Sequence, residues 1–297
     1  MKLSKFIQLC VPPIFYAKLF KLKGKNTYDI GLIKVKIPSN HNLPNIQKTH
    51  RLYDRFLPVL AKNINCDKII VDVGANIGDT AIALVQNCKN PMILIEPSEV
   101  FLPYLEHNIK LLSSDDISRI SIINKFVGTG FLKGVLKHSI RGTASIEVNN
   151  ESDLNTHVSL DSIVNDTSNI ILLKVDTDGF DFDVIKSSEE ILTNSEPILF
   201  FENEISEDFQ FDGYDQLYTL LLKKGYRYIY IFDNFGNLIT EENNFDTLKN
   251  INSYLYSIKK HNNTRTFYYT DICASTEKNH FLVINAINEY KRNWIKA

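Results

Sequence analysis

From residue 67 onward, two hydrophobic rhythms alternate along the chain. Short continuous apolar runs, "KIIVDV", "PMILIEP", "RISIINKFVG", "IILLKVD", "PILFFENE" and "YRYIYIF", are the pattern of strands buried on both faces. Between them, apolar residues recur at helical spacing. "DTAIALVQNC" follows the first run, and Phe101, Leu102, Leu105, Ile109 and Leu112 follow the second, with Ser98 placed as N-cap. One helix is predicted to carry Val184, Ile185, Ser188, Ile191 and Leu192. Another carries Tyr214, Leu217, Tyr218, Leu221 and Leu222 and is closed by Gly225. This alternation predicts an α/β fold, a mostly parallel Rossmann-like sheet with helices on both faces.

The rhythm lapses over residues 127–168, where "GTGFLKGVLKHSIRGTASIEV" predicts one or two hairpins near the mouth of the sheet. Beyond about residue 240 the chain is Asn-rich and mixed, with a strand expected at "TFYYTDI" and a helix at "NHFLVINAINEYKRNW". The chain thus divides into an arm (1–50), a central domain (51–240) with a hairpin insertion, and an extension (241–297) that completes the sheet.

Composition narrows the function. A chain of 297 residues that is 44% hydrophobic can bury a substantial core. A net charge of −2 and a pI near 6.4 imply no broad cationic surface, so nucleic acid is not an expected partner. Cys10, Cys66, Cys88 and Cys273 are scattered, without C-x-x-C or a nearby His at ligand spacing, and read as reduced thiols of a cytoplasmic protein. No apolar run approaches the ~20 residues of a membrane-spanning helix.

The first 25 residues hold six lysines and no acid, but Gln8 and the Pro12-Pro13 pair break the apolar run a signal peptide needs. Two readings stand. Either the arm packs on the domain, or it rests on the anionic inner face of a membrane, using Phe6, Leu9, Ile14, Phe15, Leu19 and Phe20.

The most informative stretch is "IIVDVGANIGDTAIAL", residues 69–84. In an open parallel sheet, ligands sit beyond the carboxyl ends of the strands, where the strand order reverses. A dinucleotide fingerprint would read G-x-G-x-x-G. Here Asn76 and Asp79 occupy the second and third glycine places, and no Walker lysine follows. A pyrophosphate is poorly served by Asp72 and Asp79 beside it. S-adenosylmethionine (SAM), with a sulfonium and an ammonium but no phosphate, suits the same acids. Glu96, ending the second strand, is placed to grip two ribose hydroxyls. The expected cofactor-binding set is Asp72, Gly74, Ala75, Asn76, Gly78, Asp79, Glu96 and Val127.

"VDVGANIGDTAI", "LIEPSEVFLPYLEHNI" and "ILLKVDTDGFDFDVIKSSEEIL…PILFFENE" together resemble the FkbM-type SAM-dependent methyltransferases, over roughly residues 50–235. The resemblance implies a class I methyltransferase fold of seven strands, the last antiparallel. It also implies methyl transfer to oxygen, on hydroxyls of glycans or natural products. The usual pattern D-x-E-G-x-E reads here Asp176-Thr177-Asp178-Gly179-Phe180-Asp181, each later acid one methylene shorter, which puts the reach of Asp178 and Asp181 in question.

Methyl transfer to a hydroxyl needs alignment and a base. Asp176 and Asp178 are the candidate base or substrate-orienting groups, with Glu202 from the fifth strand. Asp181 reads as an N-cap or first-turn acid and Asp183 as a solvent-facing one. Alternatively Asp176, Asp178 and a third carboxylate hold Mg²⁺. His138 and His157 are secondary bases, and Arg141 a contact for an anionic substrate or a surface acid. The base-amine turn and the Pro-Cys nucleophile of nucleic-acid methyltransferases are both missing. Two rivals remain: an NAD-dependent oxidoreductase on a similar sheet, and a non-catalytic scaffold docked on a membrane.

Overall fold

The computed structural model describes residues 26–39, 41–130, 134–138, 144–148, 157–262 and 267–295. A hairpin of β1 (Thr27–Ile30) and β2 (Ile33–Lys36) leads to helices α1 (Leu43–Thr49) and α2 (Phe56–Asn63). Then come β3 (Ile69–Val73), α3 (Asp79–Val85), β4 (Met92–Ile95), α4 (Leu102–Ile109), α5 (Ser114–Ser118) and β5 (Ile120–Ile123). A second hairpin, β6 (Gly134–His138) with β7 (Ala144–Val148), precedes α6 (Leu160–Ile163) and β8 (Ile170–Val175). The chain continues through α7 (Asp181–Lys186), α8 (Glu189–Asn194), β9 (Ile198–Asn203), α9 (Asp208–Lys223), β10 (Tyr228–Asp233) and β11 (Leu238–Glu242). It finishes with α10 (Asp246–Asn262), β12 (Thr270–Ser275), α11 (Glu277–Tyr290) and a π-turn, Lys291–Ile295.

The central sheet has the order β11-β10-β12-β9-β8-β3-β4-β5. Strands β5, β4, β3, β8 and β9 are parallel, and β12 runs antiparallel between β9 and β10. The order reverses at β3, because β4 and β5 extend to one side and β8 and β9 to the other. A crevice therefore opens at the carboxyl ends of β3 and β8.

Side-chain alternation along the strands feeds two cores. Ile70 packs with α2, α3, α4 and α11, whereas Val71 packs on the opposite face with α7, α8 and α9. Among the described residues, no helix is long and apolar enough to cross a membrane.

Local details depart from the sequence reading. The helix expected over residues 184–192 is two helices, α7 and α8. Ser187 and Ser188 donate to the carbonyls of Val184 and Ile185 and so end the first one. Helix α10 arises from the Asn-rich tail. Its buried Asn252 donates to the hydroxyl of Tyr218 (2.9 Å) and exchanges amide bonds with Asn203 on β9, an anchor that apolar spacing does not reveal. The last strand begins at Thr270, later than "TFYYTDI" suggested. Ser98 caps a turn, accepting from Val100 and Phe101, and α4 starts four residues beyond it. Segment 127–168 contributes one described hairpin. Residues 1–25, on which the membrane reading rests, lie outside the described residues.

Buried Asn108 of α4 ties the first hairpin to the central domain. Its amide donates to the carbonyls of Lys36 and Ile77, both at 2.9 Å, and its Oδ1 accepts from the Lys36 N–H at 2.8 Å. Asn108→Ala strands those groups and should lower stability by about 2 kcal/mol. Urea unfolding should show a reduced midpoint with an unchanged slope.

Candidate active site

The glycine turn is built against its neighbours. Val73 ends β3, and the N–H groups of Gly74 and Ala75 donate to the carbonyl of Ile95 at 2.9 and 3.0 Å. Gly74 has φ +80°, and a Cβ there would collide with the Asp176 carbonyl oxygen. Its bare Cα admits the end of β8. Gly78, at φ +85°, opens α3 where a side chain would strike Leu105.

Beneath the turn lies a charged cluster. Lys174 of β8 is the register partner of Asp72 on β3, and its Nζ stands 2.9 Å from Asp72, 3.4 Å from Asp176 and 3.3 Å from the Gly74 carbonyl. The side chains of Asp72 and Lys174 are 0% and 5% exposed, so each charge depends on the other. Burial lowers the pKa of the Lys174 amine, but Asp72 and Asp176 outweigh it and hold Lys174 above the usual lysine range. Asp72, expected beside a cationic ligand, therefore faces a lysine within the protein.

Glu96 is set by backbone donors. Its Oε2 accepts from the N–H of Asn76 and its Oε1 from that of Ser98, both at 2.7 Å. It is nearly buried, and burial pushes its carboxyl up to about 7 despite those bonds and Lys174. Each oxygen retains lone-pair capacity for one further donor.

The acidic block departs from β8 with the N–H of Asp176 on the carbonyl of Val73, at 3.0 Å. Asp178 and Gly179 both have positive φ, +52° and +92°. Asp181, the first residue of α7, accepts from Thr177 N–H (3.1 Å), Thr177 Oγ1 (2.8 Å) and Glu202 N–H (2.9 Å). Burial, with Asp176 close by, raises Asp181 to about 7. It is a first-turn acid, as expected, but it acts as a staple between two strand ends.

Asp183 corrects the sequence reading. It is buried, not solvent-facing, and accepts from the N–H and hydroxyl of Thr129. The segment after β5 thereby comes to lie over α7. His157 has its pKa lowered by burial and lies beside Phe126. Only the strand position of His138 is described, and Arg141 is outside the described residues.

Two cavities meet at this surface. A narrow crevice is lined by Gly74, Asn76, Glu96, Val127, Asp176 and Asp178, together with Phe101 and Phe126. A larger cavity of about 500 Å³ shares Gly74, Asn76, Asp176 and Asp178, and adds Asp79 and Glu202. Asp72, Ala75 and Gly78 line neither and act through the turn they shape. Glu202 is 6% exposed, and its carboxyl is driven well above the usual range by burial and by Asp176, Asp178 and Asp181. The side chain of Asp176 is 52% exposed and borders both spaces.

The sequence reading missed Lys174, although a lysine inside "IILLKV" opposite an aspartate inside "IIVDV" was a legible signal. It also missed Tyr53, Asp54 and His41 on the far wall, which no local pattern marks.

A sheet reversing at β3, with a carboxylate after the second parallel strand and an antiparallel strand inserted beside β10, defines the class I SAM-dependent methyltransferase fold. A family model described as a methyltransferase FkbM domain matches residues 72–228, and the chain belongs to that family. The oxidoreductase alternative lapses with this assignment. No curated protein matches the sequence.

Solved structures are similar at the level of fold. FkbM from Methylobacillus flagellatus KT is 15% identical (TM-score 0.39), covering 78% of this chain and 58% of that one. Precorrin-6y C5,15-methyltransferase from Geobacter metallireducens GS-15 is 12% identical (TM-score 0.40), covering 75% and 86%. P. horikoshii TYW2 in complex with MeSAdo is 12% identical (TM-score 0.47), covering 86% and 72%.

The donor set fits SAM. Glu96 presents a nearly buried carboxylate to the crevice, and Asn76 stands on its wall where a dinucleotide fingerprint has its second glycine. Among the described residues, no three His, Cys, Asp or Glu side chains converge as metal ligands.

Two predictions follow from this geometry. The Glu96 carboxyl has an ordinary pKa of 4.5 and a folded one near 7, so its contribution to stability is full below about 4.5 and is lost as pH rises through about 7. Ribose hydroxyls donate to the ionised form, so SAM binding expels that proton. SAM affinity should therefore rise by up to about tenfold per pH unit between roughly pH 5.5 and 7, then level off. Calorimetry should find this slope absent in Glu96→Gln, which binds more weakly throughout. Separately, Lys174→Met leaves Asp72 buried without its partner and should cost about 3–5 kcal/mol. The double variant Asp72→Leu, Lys174→Met should recover most of that loss in thermal unfolding.

Proposed function

We propose that the protein transfers the methyl group of SAM to a hydroxyl of a glycan or small natural product. The observation that carries this reading is the position of Asp176. It borders both the crevice that suits the cofactor and the larger cavity that suits an acceptor. Bound SAM would supply a methyl group already activated by its sulfonium.

The chain's own residues would do the rest. Glu96 would hold the ribose through two hydroxyls, and Gly74 and Asn76 would run beside the methionine part. Lys174 anchors Asp176 through Oδ2, and no partner is seen for Oδ1 among the described residues. That oxygen would take the hydroxyl proton as the new C–O bond forms. Asp178 and Glu202, on the same wall, would orient the acceptor. Phe101 and Phe126 would help keep water from the crevice. Alignment and proton removal are the two contributions such a displacement needs from the enzyme.

Asp176→Asn should keep the fold and lower turnover by ~10²-fold or more, measured with labelled SAM and candidate hydroxyl acceptors. Its SAM dissociation constant should stay within a few-fold of wild type, which separates chemistry from binding. Unchanged turnover would remove Asp176 as the base. Activity lost to a chelator and restored by Mg²⁺ would turn the acids into metal ligands.

A further inference from the structure

We propose that the acceptor carries an ammonium group, and that the larger cavity holds this cation between Glu202, Asp54 and Glu204 against tyrosine rings. This rests on the methyltransferase reading above and names the substrate class of the same site.

Charge is the first observation. The larger cavity is lined by six carboxylates, of which Asp176 and Asp178 also border the cofactor crevice, where a sulfonium would face them. Glu202, Asp54 and Glu204 line the larger cavity and not that crevice and lie outside the expected cofactor set, to which Asp79 belongs, so the cofactor does not account for these three. Among the described lining residues, Lys174 is the one lysine or arginine, and it is committed to Asp72 and Asp176. His41 also lines the cavity, but burial lowers its pKa, so its ring is neutral at pH 7. Arg55 lines two adjoining smaller spaces, one of which Asp54 and Glu202 also border, but not the larger cavity, and it stands over the Trp294 ring at 5.6 Å.

Glu202 supplies the second, independent observation. It is more than nine-tenths buried and lines the cavity, and its carboxylate has no hydrogen-bond or ion-pair partner among the described residues. Its backbone, by contrast, is fully engaged: the N–H with Asp181 and the carbonyl with the Tyr214 hydroxyl. Burial and neighbouring acids raise Glu202 well above the usual range and Asp54 to about 8, so both favour the neutral form in the empty cavity, and an arriving cation would draw them to the ionised one.

The nature of the cation follows from the walls. A divalent metal needs several oxygen ligands converging within about 2.6 Å, and no such group of three forms among the described residues. Dispersed carboxylates with Tyr53, Tyr268 and Tyr269 suit an organic ammonium instead, which is attracted both to negative charge and to ring faces. A volume of about 500 Å³ is in the range of small-molecule sites and accommodates a sugar-sized body.

A protonated amine has no lone pair to accept a methyl group, so the ammonium anchors while a hydroxyl of the same molecule reacts. The S–CH₃ bond breaks with its electron pair left on sulfur, the O–CH₃ bond forms, and the hydroxyl proton passes to Asp176. Amino sugars and amino polyols have this pairing of groups.

The test titrates the full-length protein, loaded with S-adenosylhomocysteine, at low salt. The probes are glucosamine, galactosamine and mannosamine, their N-acetyl counterparts, glucuronate, and MgCl₂ alone. At least one amino sugar should bind about tenfold or more tighter than its N-acetyl form, and added salt should weaken it. Glu202→Gln should erase that preference while leaving S-adenosylhomocysteine affinity unchanged. Glu204→Gln, at a more exposed position, should reduce the preference if Glu202→Gln fails to fold. Equal or tighter binding of the N-acetyl sugars or glucuronate, no binding by any amino sugar, or displacement of amino sugars by Mg²⁺ would overturn the inference. Failure of S-adenosylhomocysteine itself to bind would instead sink the methyltransferase reading beneath it.

Discussion

One buried ammonium organises the site. Lys174 sits where the two halves of the sheet diverge and reaches three groups at once: Asp72 on β3, the carbonyl of Gly74 in the turn, and Asp176 at the end of β8. Two charges inside an apolar sheet are tolerable only because register places them side by side. The same contact fixes the distance between the loop after β3 and the loop after β8, and those loops form the crevice walls.

That coupling explains the backbone of both loops. Gly74 lies so close to the Asp176 carbonyl that any side chain would part the strands. Asn76 and Asp178, both non-glycine, adopt left-handed conformations on either side of this contact. Such conformations cost about 1–3 kcal/mol each and persist where surrounding structure over-determines them. Asp181 adds a second tie by holding Thr177 and the start of the Glu202 peptide. The ends of β8 and β9 are thereby held in fixed relation, with Asp176 and Glu202 on one wall.

The departure from D-x-E-G-x-E takes on a physical meaning here. A shorter acid at position 181 matches the short span to the Thr177 and Glu202 backbone, and it never enters the cavity. At position 178 the left-handed backbone keeps the aspartate on the cavity wall. Negative charge accumulates there because four separate segments deliver it: the α1–α2 connection, the start of α3, the end of β8 and the end of β9. The narrow crevice receives one carboxylate of its own, Glu96, already braced by two N–H donors.

Much of this was legible in the residues themselves. Apolar runs alternating with helical spacing determine a parallel sheet, because only strands buried on both faces are continuously apolar. The glycine turn and Glu96 mark its ligand-binding end, and Gly225 closes α9 where the chain must reverse. The Asn-rich α10 escaped notice because Asn252 is anchored by polar bonds rather than by apolar spacing. Asp183 was misread because its partner, Thr129, lies 54 residues away. Local pattern reports which face of an element is apolar, but not which distant polar group will meet a buried acid. Tertiary structure alone decided that Asp72 faces Lys174, that Asp181 staples two strands, and that Glu202 is left unpaired in a cavity. Each outcome is a pairing between distant segments, and the energy of a buried charge is set by its partner.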